Sequence, residues 1–122
     1  MTYLYIIAGA CAGAPLRYFV GTHVKGGMLG GFPLGTFAVN VSGGLLIGVI
    51  LGLAESRDVL SREARLLLVT GLLGSYTTFS AFGWETYDLL RGDQFAVAAS
   101  YAALSVAMGL GAVWVGAQAG RI

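Results

Sequence analysis

The residues of this chain that could do chemistry are few, and they lie inside its most apolar stretches. Residues 71–83 read GLLGSYTTFSAFG, so Ser75, Tyr76, Thr77, Thr78 and Ser80 put five hydroxyls into six positions, with Gly74 just before them. No charge falls between Arg65 and Glu85. Hydroxyl side chains compete for backbone hydrogen bonds and glycine is a poor helix former, so GSYTT reads as a break in a helix. A break frees carbonyls, and freed carbonyls can coordinate a cation. Phe79 and Phe82 follow, three apart and so on one helix face. They read either as ordinary core aromatics or as rings whose positive edges attract a small anion without a formal charge that would trap it. Asn40 stands in a second apolar stretch, GTFAVNVSGGLLIGVILGLAE. It reads either as a hydrogen bond joining two helices or as a polar ligand in a binding or permeation path, because a lone asparagine among apolar neighbours is costly unless paired.

The elements that must position these residues follow from hydropathy. The chain of 122 residues is 57% hydrophobic with a mean hydropathy of +0.79, and only 11% of it is charged, against about 25% in soluble domains. A soluble protein of this size could not bury so much apolar surface. The charges leave four long free stretches, 1–16, 26–54, 66–84 and 94–120. Segments of about 18 apolar residues span a bilayer, and they do so as helices, since every backbone amide must be satisfied locally. The expectation is a single all-α, four-helix transmembrane domain over 1–122, with spans at 3–21, 33–54, 64–90 and 95–119. The short loops make neighbouring helices antiparallel, and the third helix is broken. The small residues near ACAGA suggest a signal peptide, but the segment lacks a basic leader and reads as helix one.

Catalysis has little to work with. His23 is the only histidine and has no cysteine or carboxylate at metal-ligand spacing. No nucleophile stands beside a base, and no glycine group carries the lysine of a phosphate loop. Cys11 is the only cysteine, which rules out an intrachain disulfide and suggests a packing residue. A net charge of +1 gives no footprint for nucleic acid.

In the second span Thr36, Asn40, Gly44, Gly48 and Gly52 recur every fourth residue, a stripe along which another helix can approach closely. Tyr101, Ser105 and Gly109 repeat the spacing in the fourth span. Ser105 reads as bonded to a carbonyl one turn earlier. Arg17 reads as reaching the membrane surface or as drawing anions to a pore mouth. Glu85 and Asp88 read as a solvated helix end. The N-terminus, the 55–65 loop and the C-terminus carry Arg57, Arg62, Arg65 and Arg121, and the other side carries Arg17, Lys25 and Arg91. Four positives against three set almost no orientation. Insertion both ways round, with two copies paired antiparallel, and a single fixed topology both remain open.

GTFAVNVSGGLLIG and TGLLGSYTTFSAFGWET, with GAPLRYFVG near the first loop, resemble the Fluc (CrcB) family of fluoride channels over the whole chain. The resemblance implies an antiparallel, dual-topology homodimer in the cell (inner) membrane, or pairing with a paralogue. It implies passive fluoride export that protects against fluoride toxicity, and no enzymatic activity. Residue by residue, it assigns Asn40, Phe79 and Phe82 to the fluoride path, with Ser80, Tyr101 and Ser105 as polar groups beside it. Arg17, Thr36 and Glu85 fall at a pore vestibule. The carbonyls of Gly74 and Thr77 would hold a structural sodium ion at the dimer centre, and the hydroxyls at the break would replace lost hydration or line the path. Ala81 and Gly109 stand where the family often carries hydroxyls. A small multidrug exporter needs a carboxylate in helix one, which has none. A membrane scaffold would have no use for a broken helix.

Overall fold

The computed structural model describes residues 1–122. Helix α1 runs Thr2–His23 and α2 runs Leu34–Arg57. The third span, Arg62–Arg91, is in two pieces. Its first half, α3, starts at Arg62–Arg65, widens to a π-helix over Leu66–Leu73 and closes with the turn Gly74–Tyr76. Its second half, α4, runs Phe79–Arg91, and α5 runs Phe95–Gly120. The four spans are long and apolar enough to cross a membrane. Each begins and ends within a few residues of the stretch expected from hydropathy.

Short turns set the antiparallel order. Between α1 and α2, Leu29 and Phe32 exchange backbone hydrogen bonds of 2.9 and 2.8 Å around Gly30 and Gly31, whose φ angles are +57° and +86°. Two consecutive positive φ angles make the turn that glycine pairs favour. At the other end α2 stops on a left-handed Asp58, and Ser61 caps α3 by accepting the Ala64 amide at 3.1 Å. There Arg57 donates to the Ile122 carbonyl at 2.7 Å, Arg121 pairs with Glu55 at 2.8 Å, and Arg62 reaches Thr2 at 3.3 Å. The N-terminus, the 55–65 loop and the C-terminus therefore lie on one face, as the sequence implies.

Small residues fix the helix pairs. The glycine stripe of α2 lies on α5. A Cβ at Gly44 would sit 3.1 Å from the Gly109 carbonyl, and methyl groups at Gly48 and Gly52 would overlap the carbonyls of Val113 and Ala117. In return Gly116 and Gly120 meet Leu45 and Val49. Helix α1 packs on the π-helical stretch of α3 through Gly9, Gly13 and Gly71. These are the close backbone approaches that small residues allow in lipid. Only 17 of 122 residues are buried, while Leu4, Ile7, Phe19, Leu104, Leu110 and Trp114 point outward. Water does not tolerate an apolar surface of this extent, so lipid or another protein must cover it.

Candidate ion-binding site at the helix break

Thr77 and Thr78 are extended, with φ/ψ of −82°/158° and −150°/117°, between helical Tyr76 and Phe79. The break is thus two residues long. GSY, expected to belong to it, is helical, and two of the hydroxyls bond back to its preceding turn. Ser75 Oγ donates to the Gly71 and Leu72 carbonyls at 2.8 and 3.1 Å, and Thr77 Oγ1 donates to Leu73 at 3.1 Å. Such bonds to the preceding turn are compatible with helix. They also commit the hydrogens of these two hydroxyls to backbone carbonyls. Tyr76 is buried, and its hydroxyl lies 2.9 Å from Ser42 Oγ. Ser42 already donates to Val39, so Tyr76 donates to Ser42.

Asn40 of α2 closes the break. Its Oδ1 accepts the Thr78 amide at 2.8 Å and its Nδ2 donates to the Thr78 carbonyl at 3.0 Å. In a continuous helix the Thr78 amide would go to Gly74, so the Gly74 carbonyl loses that partner. No donor reaches the Thr77 carbonyl. Both readings of Asn40 are compatible with this geometry. It joins two helices, and an amide nitrogen carries two hydrogens, so one N–H remains. Thr78 then starts α4 by accepting the Ala81 amide on Oγ1 at 3.1 Å, and this oxygen also lies 3.3 Å from Ser80 Oγ. Sequence reasoning singled out Asn40 and counted Thr78 among the hydroxyls of the break, but gave Thr78 no role as a helix cap or as the partner of Asn40, and did not single out Ser42. A threonine just before the second apolar run was the available sign of a helix cap.

Beside Asn40 opens a cleft of about 260 Å³ lined by Thr77, Thr78, Phe79, Phe82 and Ser105. The Phe82 ring lies 5.7 Å from Phe79 and 5.1 Å from Tyr101, centre to centre. Phe79 is 82% exposed, so its free side awaits lipid or protein. Ser105 Oγ is buried without any hydrogen-bond partner, which corrects the expected bond to a carbonyl one turn earlier. Ser80 is exposed and lies outside the cleft lining.

Glu85 is not a solvated helix end. Its carboxylate accepts Tyr101 Oη on one oxygen and Thr36 Oγ1 on the other, both at 2.9 Å. Tyr101 is fully buried. Only Asp88 keeps the expected exposed setting, paired with Arg91. Arg17, Thr36, Thr78 and Glu85 line a second opening of about 450 Å³. A third, of about 300 Å³, is lined by Asn40, Gly43, Gly74, Thr77 and Gly109. No cluster of histidine, cysteine or carboxylates could hold a metal ion. The oxygen donors available are backbone carbonyls, which suit a hard cation.

Four helices long and apolar enough to cross a membrane, the third interrupted where a polar and aromatic cleft opens, define the class: a polytopic membrane protein. The chain belongs to the CrcB family: the model described as "CrcB-like protein, Camphor Resistance (CrcB)" matches residues 4–117. It is 42% identical over 122 residues to a Roseiflexus sp. (strain RS-1) protein named "Fluoride-specific ion channel FluC", covering 100% of this chain and 98% of that one. A Chloroflexus aurantiacus (strain ATCC 29366 / DSM 635 / J-10-fl) protein of the same name is 45% identical over 118 residues, 97% of this chain and 94% of the relative. "Fluoride-specific ion channel FluC 1" of Streptomyces avermitilis is 47% identical over 116 residues, 95% and 93% of the two chains.

Proposed function

We propose that this chain is a fluoride-selective passive channel that lets fluoride leave the cytoplasm down its electrochemical gradient and so protects the cell. The observation that carries the reading is the cleft in which Asn40, Phe79, Phe82 and the unpartnered Ser105 hydroxyl meet. Fluoride is small and strongly hydrated. A path for it must offer donors in place of water, yet bind weakly enough to release the ion. The remaining Asn40 N–H, the Ser105 hydroxyl and two ring edges fit that demand without a cation that would trap the ion. The names of the relatives point the same way. A channel moves an ion and leaves covalent bonds untouched, so no catalytic group is required.

The working unit in this reading is a pair of inverted copies in the cell membrane, identical or paralogous, consistent with the nearly balanced arginines and lysines. The exposed Phe79 ring would meet the second copy. The Gly74 and Thr77 carbonyls, relieved of helix hydrogen bonds and open on one side, would hold a structural sodium ion between the copies. Arg17, Thr36 and Glu85 would form the vestibule.

Growth tests the reading in cells. A bacterial host deleted for its own fluoride exporter should grow on otherwise inhibitory fluoride when it expresses this chain. It should fail with Phe82→Ile at equal membrane levels. No rescue by wild-type chain found folded in the membrane would overturn the export function.

A further inference from the structure

Helix α1 contributes no residue to the Asn40 cleft, yet it grips the last turn before the break. Arg17 Nε donates to the Ser75 carbonyl at 3.1 Å. One turn earlier on the same face, Gly13 lies so close that an added methyl would overlap Ser75 Oγ and the Leu72 carbonyl. Ser75 is thus held by its carbonyl from Arg17, seated on Gly13, and tied by its own hydroxyl to Gly71 and Leu72.

The last carbonyls of any helix lack intrahelical partners, and a helix that ends inside a membrane protein must find them elsewhere. At the end of α3 the Leu73 carbonyl keeps the Thr77 amide, while the Thr78 amide is diverted to Asn40. A guanidinium beside the C-terminal carbonyls supplies both a donor and a charge that suits the helix dipole. Ser75 lies three residues before Thr78, so a shift of this turn moves the peptide that Asn40 holds.

We infer that Arg17 is a positioning residue: through its Nε–H on the Ser75 carbonyl it fixes the end of α3, and thereby the Asn40–Thr78 pair beside the ion path. This is a different task from attracting anions to a vestibule, and the two can be separated chemically. A glutamine Nε2 stands the same number of bonds from Cα as the arginine Nε, so Arg17→Gln keeps the donor and drops the charge. Arg17→Met drops both at similar length.

The inference rests on the channel reading for its flux measurement, so the experiment has two readouts. In liposomes, Arg17→Gln should carry fluoride at least about tenfold faster than Arg17→Met, a difference of about 1.4 kcal/mol in barrier. In hydrogen exchange, the peptide containing Thr77 and Thr78 should exchange faster in Arg17→Met than in wild type, and Arg17→Gln should stay close to wild type. Equal flux and equal exchange in the two variants, whether both high, both low or both misfolded, would overturn the positioning role. If the wild-type chain passes no fluoride while the exchange difference holds, the channel reading fails and the positioning of the break stands.

Discussion

Asn40 and Thr78 form a two-way hydrogen bond across 38 residues of sequence, amide to Oδ1 and Nδ2 to carbonyl, at 2.8 and 3.0 Å. The pairing resembles one rung of a sheet, made by a side chain. It satisfies both backbone groups of an extended, partly buried residue between two half-helices. Removing the side chain therefore has a structural cost beside any loss of a pathway donor.

Asn40→Leu leaves the amide and carbonyl of the partly buried Thr78 without partners, at a cost of up to roughly 1–3 kcal/mol for each group. The variant is expected to lose thermal stability in detergent and nearly all fluoride flux. Unfolding followed by intrinsic fluorescence, with flux on the same preparation, checks both.

Phe82→Ile keeps an apolar side chain against Tyr101 while removing the ring. The variant is expected to elute as the wild type does in size exclusion and to lose at least about tenfold in flux, equivalent to about 1.4 kcal/mol of barrier. Wild-type rates would take Phe82 out of the path.

Tyr101 and Thr36 share one carboxylate at Glu85. Tyr101→Phe and Glu85→Gln should each destabilise the fold, and their combination should cost less than the sum, with a coupling of about 0.5–3 kcal/mol as expected for residues in one network. A double-mutant cycle on denaturation midpoints measures it. Strict additivity would mean that the bond contributes nothing.

The break and its neighbours mark where sequence reasoning reached and where it stopped. The spans were legible because hydropathy alone sets them, and the α2 stripe was legible because close helix packing needs small residues at every fourth position. The types of residue at the site were legible too, since asparagine and clustered hydroxyls are conspicuous among apolar neighbours. Their partners were not. Arg17 meets a carbonyl 58 residues away, and Thr36 meets Glu85 across 49. No local pattern encodes such pairs. The break lies at Thr77 and Thr78 rather than along GSYTT, and whether a Ser or Thr hydroxyl bonds back to the preceding turn, as those of Ser75 and Thr77 do, depends on rotamers that no sequence pattern shows.

Gly74 tests the proposed pair of copies. A Cβ there would lie 3.5 Å from the Val69 carbonyl, an ordinary contact, so the protomer itself accommodates Gly74→Ala. Gly74→Asp adds a charge at the surface proposed to face a second copy and a sodium ion. It should leave monomer helicity intact by circular dichroism and abolish the dimer in cross-linking. A normal dimer would count against the central ion site.

Gly48→Val should separate α2 from α5, because even a methyl would overlap the Val113 carbonyl, whereas Gly111→Ala has open space around it. The first should cost about 1–3 kcal/mol or prevent assembly, as overpacking does. The second should be neutral. Melting temperatures of the two variants beside wild type provide the comparison.

The central claim is selective, passive fluoride conduction, and ion efflux from liposomes tests it most directly. Purified protein is reconstituted into vesicles loaded with potassium fluoride or potassium chloride, valinomycin is added, and each anion is followed with an electrode. The account predicts rapid fluoride loss and negligible chloride loss. Retention of fluoride by vesicles holding folded protein, or equal loss of both anions, would contradict it.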